Sequence, residues 1–271
     1  MILFRNLKSA SAVKLGTLSC LAAFASTSVH SQQVEYTVGI GAMYESDYEG
    51  SDDYETTVVP LIEISVNDRI KFSTLNGPQL SLQVWESSGI SFDAGVGYSF
   101  GRDATDNVAL GGLGNIDNSA TFLAAVAYEV DVGAGRMNFG FDLERELKGN
   151  RKGTQVGLEA GYDLPVFSQR GMLSFAAGST WADDNYMAST FGVSAAQAIA
   201  STAGLNAYSA KAGFKDITLS ATLAYQMTDS MTVVGELGLT RLVGDAELAP
   251  LVKDFGSRDQ KFAKLGVMYS W

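Results

Sequence analysis

The residues best equipped for chemistry lie in one short stretch. Glu45, Asp47, Glu49, Asp52, Asp53 and Glu55 put six carboxylates within eleven residues. Hard divalent cations take clustered carboxylate oxygens. The stretch is therefore a candidate for holding calcium or magnesium and for bridging such an ion to lipopolysaccharide phosphates. A solvated acidic loop accounts for the same residues, and the spacing lacks the terminal glutamate that an EF-hand requires. A second cluster, Arg145, Lys148, Arg151 and Lys152, gathers four cations. Guanidinium and ammonium groups in such numbers suit phosphate oxygens. The cluster is expected to touch lipopolysaccharide, or simply to keep a hairpin soluble.

Much other chemistry is excluded by what is missing. The chain has one cysteine, Cys20, and one histidine, His30, and both fall in its first thirty-one residues. That segment reads as a secretory signal. Arg5, Lys8 and Lys14 form a positive start, residues 15–25 are an apolar run, and residues 25–31 are small and polar. The apolar run is too short for a membrane helix. Cleavage fits after Ala25 or Ser31, and Ser31 is preferred. Thr17, Leu18 and Ser19 before Cys20 make a poor lipoprotein signal. The expected domains are thus a signal peptide, residues 1–31, and a mature body, residues 32–271. That body would lack disulfides, thiolate nucleophiles, histidine metal sites and an imidazole base. No enzyme activity and no cofactor are expected. With the three basic residues of the signal gone, 16 basic side chains stand against 30 acidic ones, a net −14. This balance argues against nucleic-acid binding, which needs clustered Lys and Arg.

The elements that would carry these residues announce themselves by period-two alternation. From Ile90 onward, Ile90, Phe92, Ala94, Val96, Tyr98 and Phe100 oppose Ser91, Asp93, Gly95, Gly97, Ser99 and Gly101. Successive side chains of a strand point to opposite faces, so one face is apolar and the other small and polar. The pattern predicts strands at 34–45, 55–67, 69–75, 79–87, 89–101, 119–131, 134–147, 154–164, 171–182, 216–228, 230–242 and 261–271. Most run about ten to thirteen residues, enough to cross a bilayer at a tilt and longer than usual globular strands. Connections alternate short and long, as in outer-membrane barrels, with the short ones on the periplasmic side. One exception is the tight Asn76, Gly77, Pro78 turn.

An open sheet edge in hydrocarbon leaves a row of unpaired backbone groups at several kcal/mol each. The sheet must therefore close, pairing the first strand with the last. The expected fold is all-β: a transmembrane antiparallel up-and-down β-barrel of about twelve strands in a Gram-negative outer membrane. The chain ends on Trp271, with Tyr269 and Val267 on the same face. These three residues resemble the C-terminal signal read by the barrel-assembly machinery. Inside, Asp93, Asp142, Glu144 and Glu236 face Lys264, a balance fitting either a weakly cation-preferring pore or a packed lumen. Residues 183–215 form the longest connection, with an alanine-rich helix expected at 194–203; it would either constrict the lumen or cap the barrel.

The stretch from Tyr44 through Tyr54 (Tyr-Glu-Ser-Asp-Tyr-Glu-Gly-Ser-Asp-Asp-Tyr) resembles the opening signature of the MipA/OmpV family of outer-membrane proteins. Ala182-Asp183-Asp184-Asn185-Tyr186, followed by Phe191-Gly192-Val193, is similar to a second family block. Leu242-Val243-Gly244-Asp245-Ala246 with Pro250 is similar to a third. Trp271 departs from the phenylalanine expected at the end. The resemblance implies a non-enzymatic scaffold, interacting with a lytic murein transglycosylase and linking it to a murein synthase. It also admits a narrow passive channel, or an adhesion or stress-response protein. It supplies no catalytic residues.

Overall fold

The structure, a computed structural model, describes residues 34–271. The expected signal segment, residues 1–31 with Cys20 and His30, lies outside the described residues.

Twelve strands close into one antiparallel barrel. They are β1 (Val34–Ser46), β2 (Tyr54–Val66), β3 (Ile70–Ser73), β4 (Gln79–Ser87), β5 (Ile90–Ser99), β6 (Ser119–Val132), β7 (Gly135–Glu146), β8 (Thr154–Val166), β9 (Gly171–Ala182), β10 (Gly213–Gln226), β11 (Met231–Leu242) and β12 (Asp259–Ser270). Each pairs with its neighbours in sequence, and β1 pairs with β12 from Thr37 opposite Ser270 to Tyr44 opposite Ala263. The ring has no free edge along this seam. Gly39 lets the seam close: a Cβ there would meet the Val267 carbonyl oxygen at 2.3 Å.

Alternation does what the pattern predicts. Ile40, Val58, Leu237 and Leu265 stand 60–67% exposed on the outer face. In water so large an apolar surface would drive association. In a bilayer it is the lipid-facing band of a barrel. Stacked or tilted aromatic contacts, Tyr36 with Trp271 and Tyr269 with Trp271, mark the lower edge of the band. Among the described residues no helix is long and apolar enough to span a membrane, so the strands do the crossing.

The short connections are tight. Asn67 and Asp68 both take positive φ, 52° and 55°, as the two central residues of the commonest hairpin turn must. The opposite end is built differently. Residues 100–118, 183–212 and 243–258 fold over the barrel mouth with short helices: α1 (Asp184–Thr190), α2 (Ala195–Ala200), α3 (Gly244–Leu248) and α4 (Pro250–Lys253). Ser194 caps α2 in a capping box with Gln197. The predicted alanine-rich helix is therefore present, and its connection forms a cap.

That cap has its own apolar core. Tyr186, Met187, Phe191, Leu242, Ala246 and Val252 pack in one cluster. Tyr48, Leu110, Leu113, Val193, Leu205 and Leu251 pack in a second. Burial of this kind, at about 25 cal/mol per Å², makes the cap a folded plug joined to the barrel.

Most strand limits fall within two residues of the sequence expectation, and two of the differences have a clear local cause. The third strand has four residues, Ile70–Ser73, where 69–75 was expected. Thr74 leaves the ladder there, and its hydroxyl accepts from Ile62 N–H and donates to the Pro60 carbonyl. β10 begins at Gly213, earlier than 216, and carries a bulge between Phe214 and Asp216.

Candidate functional site

Beneath the cap lies a network of buried charges drawn from two connections and the ends of β7 and β10. Lys215, with no exposed surface, stands at the bulge that opens β10. A bulge re-aims side chains, and here Lys215 and Asp216 both point inward although adjacent in sequence. Lys215 Nζ donates to Glu49 Oε1 and Asp216 Oδ2, both at 2.6 Å. Asp216 Oδ1 also accepts from Thr180 N–H at 3.0 Å. Tyr186 on α1 donates its hydroxyl to Glu49 Oε2 at 2.9 Å.

A second pair completes the layer. Arg151 donates through Nε and Nη2 to the Glu146 carboxylate, at 2.5–3.0 Å. Gly153 N–H donates to the same carboxylate at 2.9 Å. The Arg151 guanidinium also covers the Tyr186 ring at 4.5 Å, a cation–π contact. Arg102, on the 100–118 connection, donates to the Thr190 carbonyl oxygen at 3.2 Å. Burial, and then the Glu49 charge, push the Tyr186 hydroxyl above its ordinary range. Burial likewise pushes Tyr48 up to about 12. Both phenols stay neutral at physiological pH and serve as donors.

Charges buried this way are costly to leave alone and hold only when matched. The network matches them across otherwise separate segments: 47–53, 147–153, α1 and the start of β10. What it does physically is latch the cap to the barrel rim.

The sequence-predicted residues fall apart spatially. Glu45 lies on the inward face of β1, opposite Glu55 of β2 in register. Asp47 and Asp53 both accept from Asn107 Nδ2, at 2.8 and 2.9 Å. Glu49 is 6% exposed and bound to Lys215 and Tyr186, and Asp52 is exposed. The six carboxylates do not converge, and among the described residues no group of three or more potential ligands is placed to hold a metal ion.

The basic cluster divides too. Lys148 and Lys152 are exposed, and Arg145 is an exposed partner of Thr154 and Asp183. Arg151 is 5% exposed and faces inward to Glu146. It is part of the latch and has no surface to offer lipopolysaccharide. Val267 and Tyr269 face lipid on β12, with Trp271 just beyond it.

Sequence reasoning missed Lys215, Asp216, Tyr186 and Glu146. One signal was present: the apolar alternation of β10 fails at Lys215 and Asp216, two adjacent polar residues where only one can face inward without a bulge.

In the lumen, Glu236 is 2% exposed and pairs with Lys264 at 3.3 Å. Lys71 pairs with Glu63, also at 3.3 Å. Asp93, Asp142 and Glu144 are on inward positions of β5 and β7. The described residues contain neither histidine nor cysteine.

A closed barrel with a lipid-facing apolar band, short turns at one end and a folded cap at the other is an outer-membrane β-barrel of Gram-negative type. The family profile of MltA-interacting protein MipA matches residues 38–271, and the chain belongs to that family. None of the curated proteins compared with the chain matches it. Among solved structures, the trace is similar to an outer-membrane channel of Pseudomonas putida F1, at 13% identity and TM-score 0.47, covering 90% of this chain and 97% of that one. It is also similar to the KdgM porin, at 12% identity and TM-score 0.41, covering 86% and 99%. The outer-membrane channel DcaP of Acinetobacter baumannii is similar at 10% identity and TM-score 0.40, covering 88% and 96%.

Proposed function

We propose that this protein is a non-enzymatic membrane platform. In this reading its periplasmic end holds a lytic murein transglycosylase, and through it a murein synthase, near the outer membrane. The observation that carries the reading is the folded cap over one barrel mouth, which this reading places outside. A cap with two apolar clusters and a matched ionic latch suits a static scaffold better than an open pore. The description of its family, an MltA-interacting protein, supports the same partner class.

The periplasmic connections are short, two to four residues each by the strand limits. A standard interface needs about 800 Å² per partner. The partner must therefore engage the rim and turns together, including the charged trio Arg136, Glu129 and Asp131. The test is co-purification of a lytic transglycosylase with the refolded barrel in mild detergent, beside planar-bilayer recording. Capture with a silent bilayer fits the platform. Steady conductance without capture replaces it with the passive-channel reading, which the acidic lumen would make cation-preferring.

Several subsidiary assignments belong to this proposal. Residues 1–31 are removed on export. Val267, Tyr269 and Trp271 are read by the barrel-assembly machinery. Arg145, Lys148 and Lys152 meet lipopolysaccharide.

A further inference from the structure

The lipid-facing wall is not evenly filled. On its outer face, Leu265 of β12 stands opposite both Ala42 of β1 and Gly235 of β11, and Leu237 of β11 stands opposite both Ala263 of β12 and Ala221 of β10. The four small residues therefore lie diagonally to one another and make a furrow between large side chains. A groove of about 620 Å³ follows it. Alternation turns the side chains of Met43, Glu236 and Lys264, which also border the groove, into the lumen. A Cβ built at Gly235 meets its first atoms outside its chain neighbours at 4.0 Å, so close packing does not demand a glycine there. The furrow crosses three strand spacings, roughly 14 Å.

Toward the cap the same wall becomes cationic. Lys261, two residues from Ala263 on β12, and Arg241, two residues beyond Leu239 on β11, stand exposed on the outer face. Arg241 holds Asp259 through Nε and Nη2, at 2.6 and 3.0 Å. Arg258 holds Glu247 at 3.1 Å and stands 4.0 Å from Asp259. Three cations thus face two carboxylates, on a chain of net charge −11. A guanidinium carries five N–H donors, so both arginines keep donors beyond these pairs. Between furrow and cations lies an aromatic shelf. Tyr54 reaches from β2 across β1 to accept Lys261 N–H at 3.0 Å, and its ring stacks on Tyr44 at 5.1 Å. Rings of this kind sit at headgroup level.

Furrow, shelf and cations follow one another in the order of the parts of one kind of lipid: an acyl chain, a sugar, and a phosphate on that sugar. Lipid tails are as apolar as leucine, so the furrow selects by fit and not by hydrophobicity. A chain that fills it gains dispersion contacts that a void forfeits. A sugar ring has a flat apolar face to lay on stacked tyrosines. A phosphate takes charge-assisted hydrogen bonds from arginine and lysine. A glycerophospholipid brings a phosphate and chains but no sugar ring for the shelf.

We infer that the wall from β10 to β1 binds one molecule of lipopolysaccharide by its lipid A. One acyl chain fills the furrow over Gly235 and Ala263. The phosphorylated sugar lies on Tyr44 and Tyr54, and its phosphate meets Lys261 and the spare donors of Arg241 and Arg258. The site is distinct from Arg145, Lys148 and Lys152, which stand on β7 and the connection after it. It requires the cap to face outward. It is independent of the murein partner, which concerns the opposite rim.

The test refolds the barrel without residues 1–31 in mild detergent and counts bound lipid by native mass spectrometry. Diphosphoryl lipid A is expected to bind saturably, one per barrel, at least tenfold tighter than dioleoylphosphatidylglycerol. Gly235→Leu, which fills the furrow from the lipid side, should weaken this binding at least tenfold, with Ala263→Leu as a second filling variant should the first not refold. Ala124→Leu, on the outer face of β6, should leave it within twofold. Lys261→Gln combined with Arg241→Gln should weaken diphosphoryl lipid A at least tenfold and dephosphorylated lipid A less than twofold. Equal binding of phosphatidylglycerol, uptake that never saturates, or unchanged affinity in the filling variants overturns the inference. Capture of a transglycosylase should be the same in wild type and variants, so its failure would sink the platform and leave this site standing.

Discussion

Replacing Lys215 with methionine tests the latch most directly. Lys215 has no exposed surface and donates to Glu49 and Asp216 at 2.6 Å each. The substitution keeps the volume and removes the charge. Glu49 would keep its bond from Tyr186, and Asp216 its bond from Thr180. Neither replaces a counter-ion. Removing one member of a buried pair costs about 3–5 kcal/mol, because a charge is left unmatched. A factor of ten in an equilibrium is about 1.4 kcal/mol, so the open-cap population should rise roughly 100- to 4000-fold. Native-state proteolysis reads this. Lys211 is exposed on the 183–212 connection, and trypsin should cut the capped wild type slowly and Lys215→Met at least a hundredfold faster. The triple variant Lys215→Met, Glu49→Gln, Asp216→Asn removes the unmatched charges and should recover most of the resistance. A single variant less than fivefold faster than wild type would refute the latch.

Three further outcomes are expected. Tyr48 is neutral when folded up to about pH 12, because burial opposes its ionisation, whereas an unfolded tyrosine ionises near 10. Unfolded chain thus loses the proton first, and stability falls as pH rises from about 10 to 12; urea titrations should show this decline, and Tyr48→Phe should flatten it. Gly39→Val drives a side chain into the Val267 carbonyl at the closing seam, so heat-modifiable migration on gels should show loss of folded barrel or a stability loss of about 2 kcal/mol or more. Glutamine at Arg145, Lys148 and Lys152 together should weaken binding to lipopolysaccharide vesicles several-fold at low salt and leave neutral vesicles unaffected; equal loss on both would remove the lipopolysaccharide assignment.

Most of the fold was legible because lipid imposes one simple rule. Ile217, Leu219, Ala221, Leu223 and Tyr225 had to share a face, and β10 obeys. The long connections were legible as connections but not as a folded cap. Tyr186, Phe191, Leu242 and Val252 meet only after three segments converge, and no local period records that. Arg151 and Lys148 look alike in sequence, three residues apart; Glu146, five residues upstream, and the Tyr186 ring, brought from α1, decide that one is buried. The arrangement of the acidic stretch was not legible for a related reason. Alternation turns Glu45 and Glu55 inward, while Glu49 is claimed by a lysine 166 residues away. The shortness of β3 was partly legible, since Asn76, Gly77 and Pro78 end pairing early, yet nothing local records that β2 continues beyond it paired with β1.

The seam between β1 and β12 makes the chain a loop in all but covalent bond. Tyr36 and Trp271 exchange backbone hydrogen bonds, Tyr36 N–H to the Trp271 carbonyl at 3.2 Å and the return at 3.1 Å. Start and finish therefore meet at one rim, although nearly the whole polypeptide separates them. Every nascent form short of the last strand is a curled ribbon with two sticky margins, so completion is an event of the final residues and contact order is dominated by one joint. A circular permutant that bridges this joint and breaks at the Gly133 turn would keep each wall contact while moving the moment of completion to a different strand.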